Sequence, residues 1–269
     1  MTSTAELPPV LDGFTRTRFA AYGKERDLYR IGSGPAVIVI SEIPGITPKV
    51  AEFARRVASI GCTAVVPHLF GTPGADPTAG YALKVITGAC ISREFSAIAL
   101  GRTSPVTVWL RALARAEHEK CGGPGVGVVG MCFTGGFALA MMVDEVVLAP
   151  VLSQPSLPFA LGAKRRRDLG VSDEDLARVR QRCETENICV LGLRFTGDRM
   201  VPSERFTRLK QELGDKFVAV EIDSSEGNPD GYRKMAHSVL TEDLRDVEGS
   251  ATRDALEQVL ALFSSKLIG

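Results

Sequence analysis

The stretch Val126-Gly127-Val128-Val129-Gly130-Met131-Cys132-Phe133-Thr134-Gly135-Gly136 decides how this chain reads. A continuous apolar run rich in valine ends at Gly-x-Cys and passes into small residues that open a helical pattern. An apolar run with no polar alternation fits a strand covered on both faces. A side chain on a sharp strand-to-helix turn projects above the sheet from a strained backbone, and small neighbours are needed where the two backbones pass. The helix that follows helps the sulfur twice. Its N-terminal field favours a thiolate, and its unsatisfied N–H groups can hold an oxyanion. A free thiol titrates near ~8.5 and is only a few per cent thiolate at neutral pH, so Cys132 as a nucleophile requires a base.

Outward from this stretch, short apolar runs alternate with helical patterns, which predicts a mostly parallel sheet with helices on both faces. Buried strands are expected at Ala36–Ser41, Thr63–Pro67, Val126–Met131, Val146–Pro150 and Ile188–Thr196, with a further strand at Phe217–Ile222. Helices are expected at Lys49–Ile60, closed by Gly61, and at Thr103–Lys120, Phe133–Val143, Ser203–Leu213 and Thr252–Leu267. Ser203 and Thr252 are candidate N-caps. Gly71–Gly101 and Gly162–Asn187 fit the sheet poorly and read as excursions that could roof a site. The basic run Lys164–Arg167 reads as solvated surface.

The 269 residues suit one α/β domain, large enough to bury a core without staples. Lys+Arg and Asp+Glu both number 32, so net charge gives no reason to expect a nucleic-acid partner or an anionic membrane surface. The first residues lack a signal-peptide pattern, and no run reaches the ~20 apolar residues of a membrane span, so the cytoplasm is the expected location. Six cysteines then read as thiols. Cys183 and Cys189 do not have zinc-motif spacing, there are three histidines in all, and no metal or organic cofactor is expected.

After Cys132 the chain holds a single histidine, His237, beyond the last expected strand and before the C-terminal helix. In α/β-hydrolases the triad runs in the order nucleophile, acid, histidine. Asp198 lies in the turn after Ile188–Thr196, at the sheet edge where ligand sites of open α/β sheets form. Asp198 and His237 are therefore the candidate acid and base. Ile38–Ile46 is a buried strand that ends in Glu42, facing the edge that carries Cys132, and Glu42 could reach the thiol. The loop after that strand supplies the second oxyanion donor in this fold, which points to the N–H groups of Ile43 and Phe133. His68 could line the cleft, whereas His118 beside Glu117 reads as solvated.

A competing pattern shares these residues. Gly125-x-Gly127-x-x-Gly130 spells a dinucleotide fingerprint. Its glycines bracket the strand instead of forming the turn after it, and Asp144 and Glu145 precede the next strand, where the ribose-binding acid should follow it.

Ser41–Ile46, the cysteine elbow Gly130–Gly136, the Gly197-Asp198 turn and the Ala236-His237 turn together resemble the dienelactone hydrolases (carboxymethylenebutenolidases), from about Phe14 to Leu267. The resemblance implies an α/β-hydrolase fold and hydrolysis of a lactone or ester through a thioester. It further implies Cys132 as nucleophile, His237 as base, Asp198 as its orienting partner, and Glu42 as a switch that shifts on substrate binding and helps turn thiol into thiolate. The chain departs from the family at Thr134, where glycine is usual, at Pro67-His68 in place of Pro-Asp, and at Ser238-Val239 in place of Gly-Phe. Arg93 and Arg199 are positional candidates for a substrate carboxylate. A thioesterase or general carboxylesterase on the same site remains open, as does a non-enzymatic binding or redox-sensing protein with Cys132 oxidised.

Overall fold

The computed structural model describes residues 7–76, 78–91 and 104–269. Eight strands form one sheet in the order β1-β2-β4-β3-β5-β6-β7-β8. They are β1 (Thr15–Ala21), β2 (Lys24–Gly32), β3 (Ala36–Ile40), β4 (Thr63–Pro67), β5 (Val126–Met131), β6 (Val147–Ser153), β7 (Val190–Phe195) and β8 (Phe217–Ile222). The pairs β1–β2 and β2–β4 are antiparallel, and every pair from β4 to β8 is parallel. The sheet is mostly parallel, as the buried apolar runs require.

Helices cover both faces. These are α1 (Pro48–Ser59), α2 (Ala79–Ile91), α3 (Pro105–Cys121), α4 (Gly135–Met141), α5 (Gly162–Arg166), α6 (Asp173–Thr185), α7 (Ser203–Leu213) and α8 (Ala251–Phe263). Side chains alternate across a strand, so β3 divides between two cores. Ile38 and Ile40 join Trp109, Leu110, Phe137, Leu176 and Phe206 on one face. Val37 and Val39 join Phe53, Val57, Leu256, Val259 and Phe263 on the other. Each fully buried side chain of this size contributes about 1.5–3 kcal/mol of transfer free energy.

Several expectations shift. The N-terminal hairpin β1–β2 was not foreseen. It turns through Tyr22 (φ +50) and Gly23 (φ +72), the positive dihedrals that a tight hairpin turn demands. β6 runs on to Ser153, past Pro150, although proline removes a ladder donor. The elbow helix is Gly135–Met141, preceded by a 3₁₀ turn over Cys132–Thr134, and is shorter than the expected Phe133–Val143. Its axial field at the sulfur is correspondingly smaller.

The caps also differ. Ser203 is inside its helix after Pro202, and Ser250, not Thr252, caps α8 by accepting from Arg253 N. The Thr252 hydroxyl instead meets the Tyr232 hydroxyl at 2.9 Å. Of the first excursion, α2 is observed and residues 92–103 lie outside the described residues. In the second, Leu176, Val179 and Cys183 of α6 lie in the core. Lys164 and Arg165 of α5 are exposed, as the basic run implies.

The topology positions the site. After β3 the chain adds β4 on one side and β5 on the other, and a parallel sheet opens its ligand crevice beyond the strand carboxyl ends at such a reversal. Glu42 follows β3, Cys132 follows β5, Ser156 follows β6 and Asp198 follows β7.

Candidate active site

Cys132 is the first residue after β5 and adopts φ +54, a left-handed conformation that costs a non-glycine residue of order 1–3 kcal/mol. The turn is too tight for side chains around it. A Cβ on Gly130 would meet Thr134 O at 2.3 Å, and one on Gly135 would meet Pro155 Cα at 2.5 Å. Thr134 is fully buried and ties the elbow to the end of β3. Its hydroxyl accepts from Met131 N at 2.9 Å and lies 2.9 Å from Ile40 O and 3.3 Å from Ser41 O.

His237 reaches this edge from the segment between β8 and α8. Its Nδ1–H donates to Asp198 Oδ2 at 2.5 Å, and Asp198 Oδ1 accepts from Met200 N at 2.9 Å. Asp243 Oδ2 fixes the backbone on both sides of the ring, accepting from His237 N at 2.8 Å and from Ser238 N at 3.1 Å. With Nδ1 engaged, Nε2 is the nitrogen left over, and it is shielded from solvent without a hydrogen-bond partner. A ring nitrogen of His237, Cys132 Sγ and a Glu42 carboxylate oxygen all lie within 4.8 Å of one another. Burial works against a charged imidazole. The negative charge of a Cys132 thiolate and the Asp198 carboxylate outweigh it and hold the His237 pKa well above its ordinary value.

Glu42 does reach the neighbourhood of the thiol, but its carboxylate is held by neutral donors. Oε2 accepts from Ser238 Oγ at 2.7 Å and from Gln154 Nε2 at 3.3 Å, and Oε1 accepts from Thr241 Oγ1. It is 4% exposed and has no cationic partner among the described residues. Nearby Glu242 is pushed above the usual carboxylate range, first by burial and then by the charge of Glu42.

The segment after β6 was overlooked in the sequence. Gln154 has φ +36 and is fully buried, and its Oε1 accepts from Val239 N at 3.3 Å. Ser156 Oγ lies 3.5 Å from Cys132 Sγ. The available signal was the polar run Ser153-Gln154-Pro155-Ser156 ending a buried strand at the sheet's carboxyl edge, which a strand closed at Pro150 leaves out.

Ile43 follows Glu42 and Phe133 follows Cys132 in the chain, and Phe133 packs edge-on against Phe70 at 5.7 Å between centroids. His68 is not part of the cluster; its Nε2 lies 2.8 Å from Gly71 O. His118 is half-buried rather than solvated, and its neighbour Glu117 is buried against Arg30 at 2.6 Å. Arg199 is exposed and unpaired among the described residues, and Arg93 lies outside them. Glu42, Cys132 and His237 are close enough to face one metal ion. The Glu42 carboxylate, however, already accepts from two hydroxyls and an amide.

A family model described as the dienelactone hydrolase family matches residues 22–267. Solved structures share the fold at low identity. The dienelactone hydrolase from Anabaena variabilis is 14% identical, with a TM-score of 0.61 over 94% of this chain and 98% of that one. A dienelactone hydrolase-like promiscuous phosphotriesterase from metagenomic libraries is 17% identical, with a TM-score of 0.61 over 94% and 98%. The thioesterase domain from the curacin biosynthetic pathway is 10% identical, with a TM-score of 0.54 over 92% and 99%. No curated protein sequence matches the chain. No helix among the described residues is long and apolar enough to cross a membrane.

Proposed function

The chain belongs to the dienelactone hydrolase family, carboxylic ester hydrolases of α/β-hydrolase fold, and from that premise we propose that it cleaves a lactone or activated ester through a thioester on Cys132. The observation that carries this reading is the proximity of Sγ, imidazole and carboxylate. Cys132 is held at φ +54, a His237 nitrogen lies within 4.8 Å of its sulfur, and Asp198 stands 2.5 Å behind the ring.

The raised pKa of His237 makes the imidazole a ready acceptor of the Cys132 proton, and the thiolate that the transfer leaves is the nucleophile. The thiolate attacks the carbonyl carbon, and the carbonyl π electrons move onto oxygen. The N–H groups of Ile43 and Phe133 receive this oxyanion, each donor commonly worth about 3 kcal/mol. Collapse re-forms the carbonyl and breaks the C–O bond. The leaving enolate or alkoxide takes its proton from the His237 imidazolium. Neutral His237 then removes a proton from water, which attacks the thioester carbonyl, and the thiolate departs as the acid forms. Asp198 holds the ring with Nε2 toward the sulfur through both half-reactions.

A thiolate is itself easily expelled, so a good leaving group such as an enolate favours forward collapse. Glu42 acts as the switch. Substrate entry disturbs its bonds to Ser238 and Thr241, and its displaced charge favours transfer of the thiol proton to His237. A thiol nucleophile suits a reducing compartment such as the cytoplasm. The steps need no metal or organic cofactor.

The test is hydrolysis of p-nitrophenyl acetate and of a dienelactone by C132A. Loss of both activities is expected, and full retention of either overturns the assignment. Acyl thioesters in the same panel separate a thioesterase from a lactonase, since a thioesterase turns over the thioester fastest.

A further inference from the structure

Resting on Cys132 as nucleophile, we propose that Ser156 is a further catalytic residue, whose hydroxyl donates a hydrogen bond to the Cys132 thiolate and holds the sulfur in its reactive form. The two residues meet twice. Ser156 N donates to Cys132 O at 2.9 Å, and Ser156 Oγ lies 3.5 Å from Cys132 Sγ, ordinary for a hydrogen bond to sulfur. Ser156 is 2% exposed, and among the described residues its hydroxyl has no other hydrogen-bond partner. A buried hydroxyl turns its proton to an acceptor within reach, and Cys132 Sγ is the partner it has among the described residues.

The sign of the effect follows from the chemistry of the two protonation states. Toward a thiolate the hydroxyl is a charge-assisted donor, the stronger class of hydrogen bond. Toward a neutral thiol it can only accept from S–H, a weak donor. The contact therefore favours the anion. The charged groups facing the sulfur pull in opposite directions. His237, backed by Asp198, comes from the segment after β8 and favours the thiolate, while the Glu42 carboxylate at the end of β3 opposes it. Ser156, arriving from β6, supplies a donor where Glu42 supplies repulsion.

The segment that carries Ser156 is fixed in place. Arg205 is fully enclosed and donates to Pro155 O at 2.6 Å, to Pro158 O at 2.5 Å and to Asp168 O at 2.8 Å. Gly135 lets the elbow pass directly against Pro155. The hydroxyl is thus presented by backbone anchored on both sides, the preorganisation that a catalytic donor requires.

The experiment is the pH dependence of iodoacetamide alkylation at Cys132, read by peptide mass in wild type, S156A and S156T. The backbone bond survives in both variants, so the elbow keeps its shape. Loss of one donor to the thiolate is expected to raise the alkylation midpoint of S156A by about one pH unit, a roughly tenfold slower reaction below the midpoint. The rates should converge at high pH, and S156T should follow wild type. Superimposed profiles for wild type and S156A, or a threonine variant displaced as far as the alanine variant, overturn the proposal. Alkylation needs no substrate, so failure of the ester-hydrolase reading would show in C132A turnover and leave this result interpretable.

Discussion

His237 Nδ1 and Asp198 Oδ2 lie 2.5 Å apart, although 39 positions of chain separate them. The carboxylate accepts the Nδ1 proton and so leaves Nε2 without a hydrogen-bond partner, the nitrogen proposed to serve the sulfur. D198N presents an amide in its place, which stabilises the wrong tautomer. The expected result is a fall in kcat for p-nitrophenyl acetate of roughly 10³-fold with KM little changed. Steady-state kinetics checks it, and a loss confined to KM would contradict it.

Gly197 sets the approach of that carboxylate. A Cβ there would meet Lys234 O at 2.3 Å and Ser224 Oγ at 2.8 Å, and the first of these is backbone that cannot step aside. G197A should push the Asp198 turn away from the histidine segment. Urea unfolding is expected to show a loss of about 1–3 kcal/mol, accompanied by a drop in kcat. An unchanged midpoint with wild-type turnover would refute the claim of close approach.

The Thr134 hydroxyl bonds the elbow to the end of β3. T134V keeps the shape and removes the acceptor for the buried Met131 N–H, a loss of about 1–3 kcal/mol. T134S should restore most of it. Calorimetry comparing the three proteins decides the matter, and equal stabilities for the valine and serine variants would count against a role for the hydroxyl.

The folded-state pKa of His237 is raised, so its charged form contributes stability. That contribution is complete below the unfolded value near ~6.5 and fades as pH climbs through the folded value. The stability advantage of wild type over H237Q should accordingly be largest near pH 6 and shrink toward alkaline pH. Paired urea titrations measure it, and an advantage that grows with pH would be the wrong sign.

The central strands were legible because a strand covered on both faces leaves an unbroken apolar run, as in Val126–Met131. The β1–β2 hairpin was not, because Thr15–Ala21 and Lys24–Gly32 carry charged residues on a partly exposed edge, where Arg16 pairs with Asp27 at 2.5 Å. Cys132, His237 and Asp198 could be read from order and placement, since each closes or follows a recognisable element. Gln154 and Ser156 could not, because Pro150 reads as the end of a strand that in fact continues through it beside Val128. The donors around Glu42 were equally hidden. Ser238 and Thr241 lie 196 and 199 positions away from it, and only the folded chain brings them together.

The most direct test of the thioester claim is rapid-quench mass spectrometry of the protein mixed with p-nitrophenyl acetate, followed by peptide mapping. An acetyl group on the Cys132 peptide is predicted, formed at a rate competent for turnover and absent in C132A. Turnover that continues with Cys132 unmodified, or at the wild-type rate in C132A, would contradict the account.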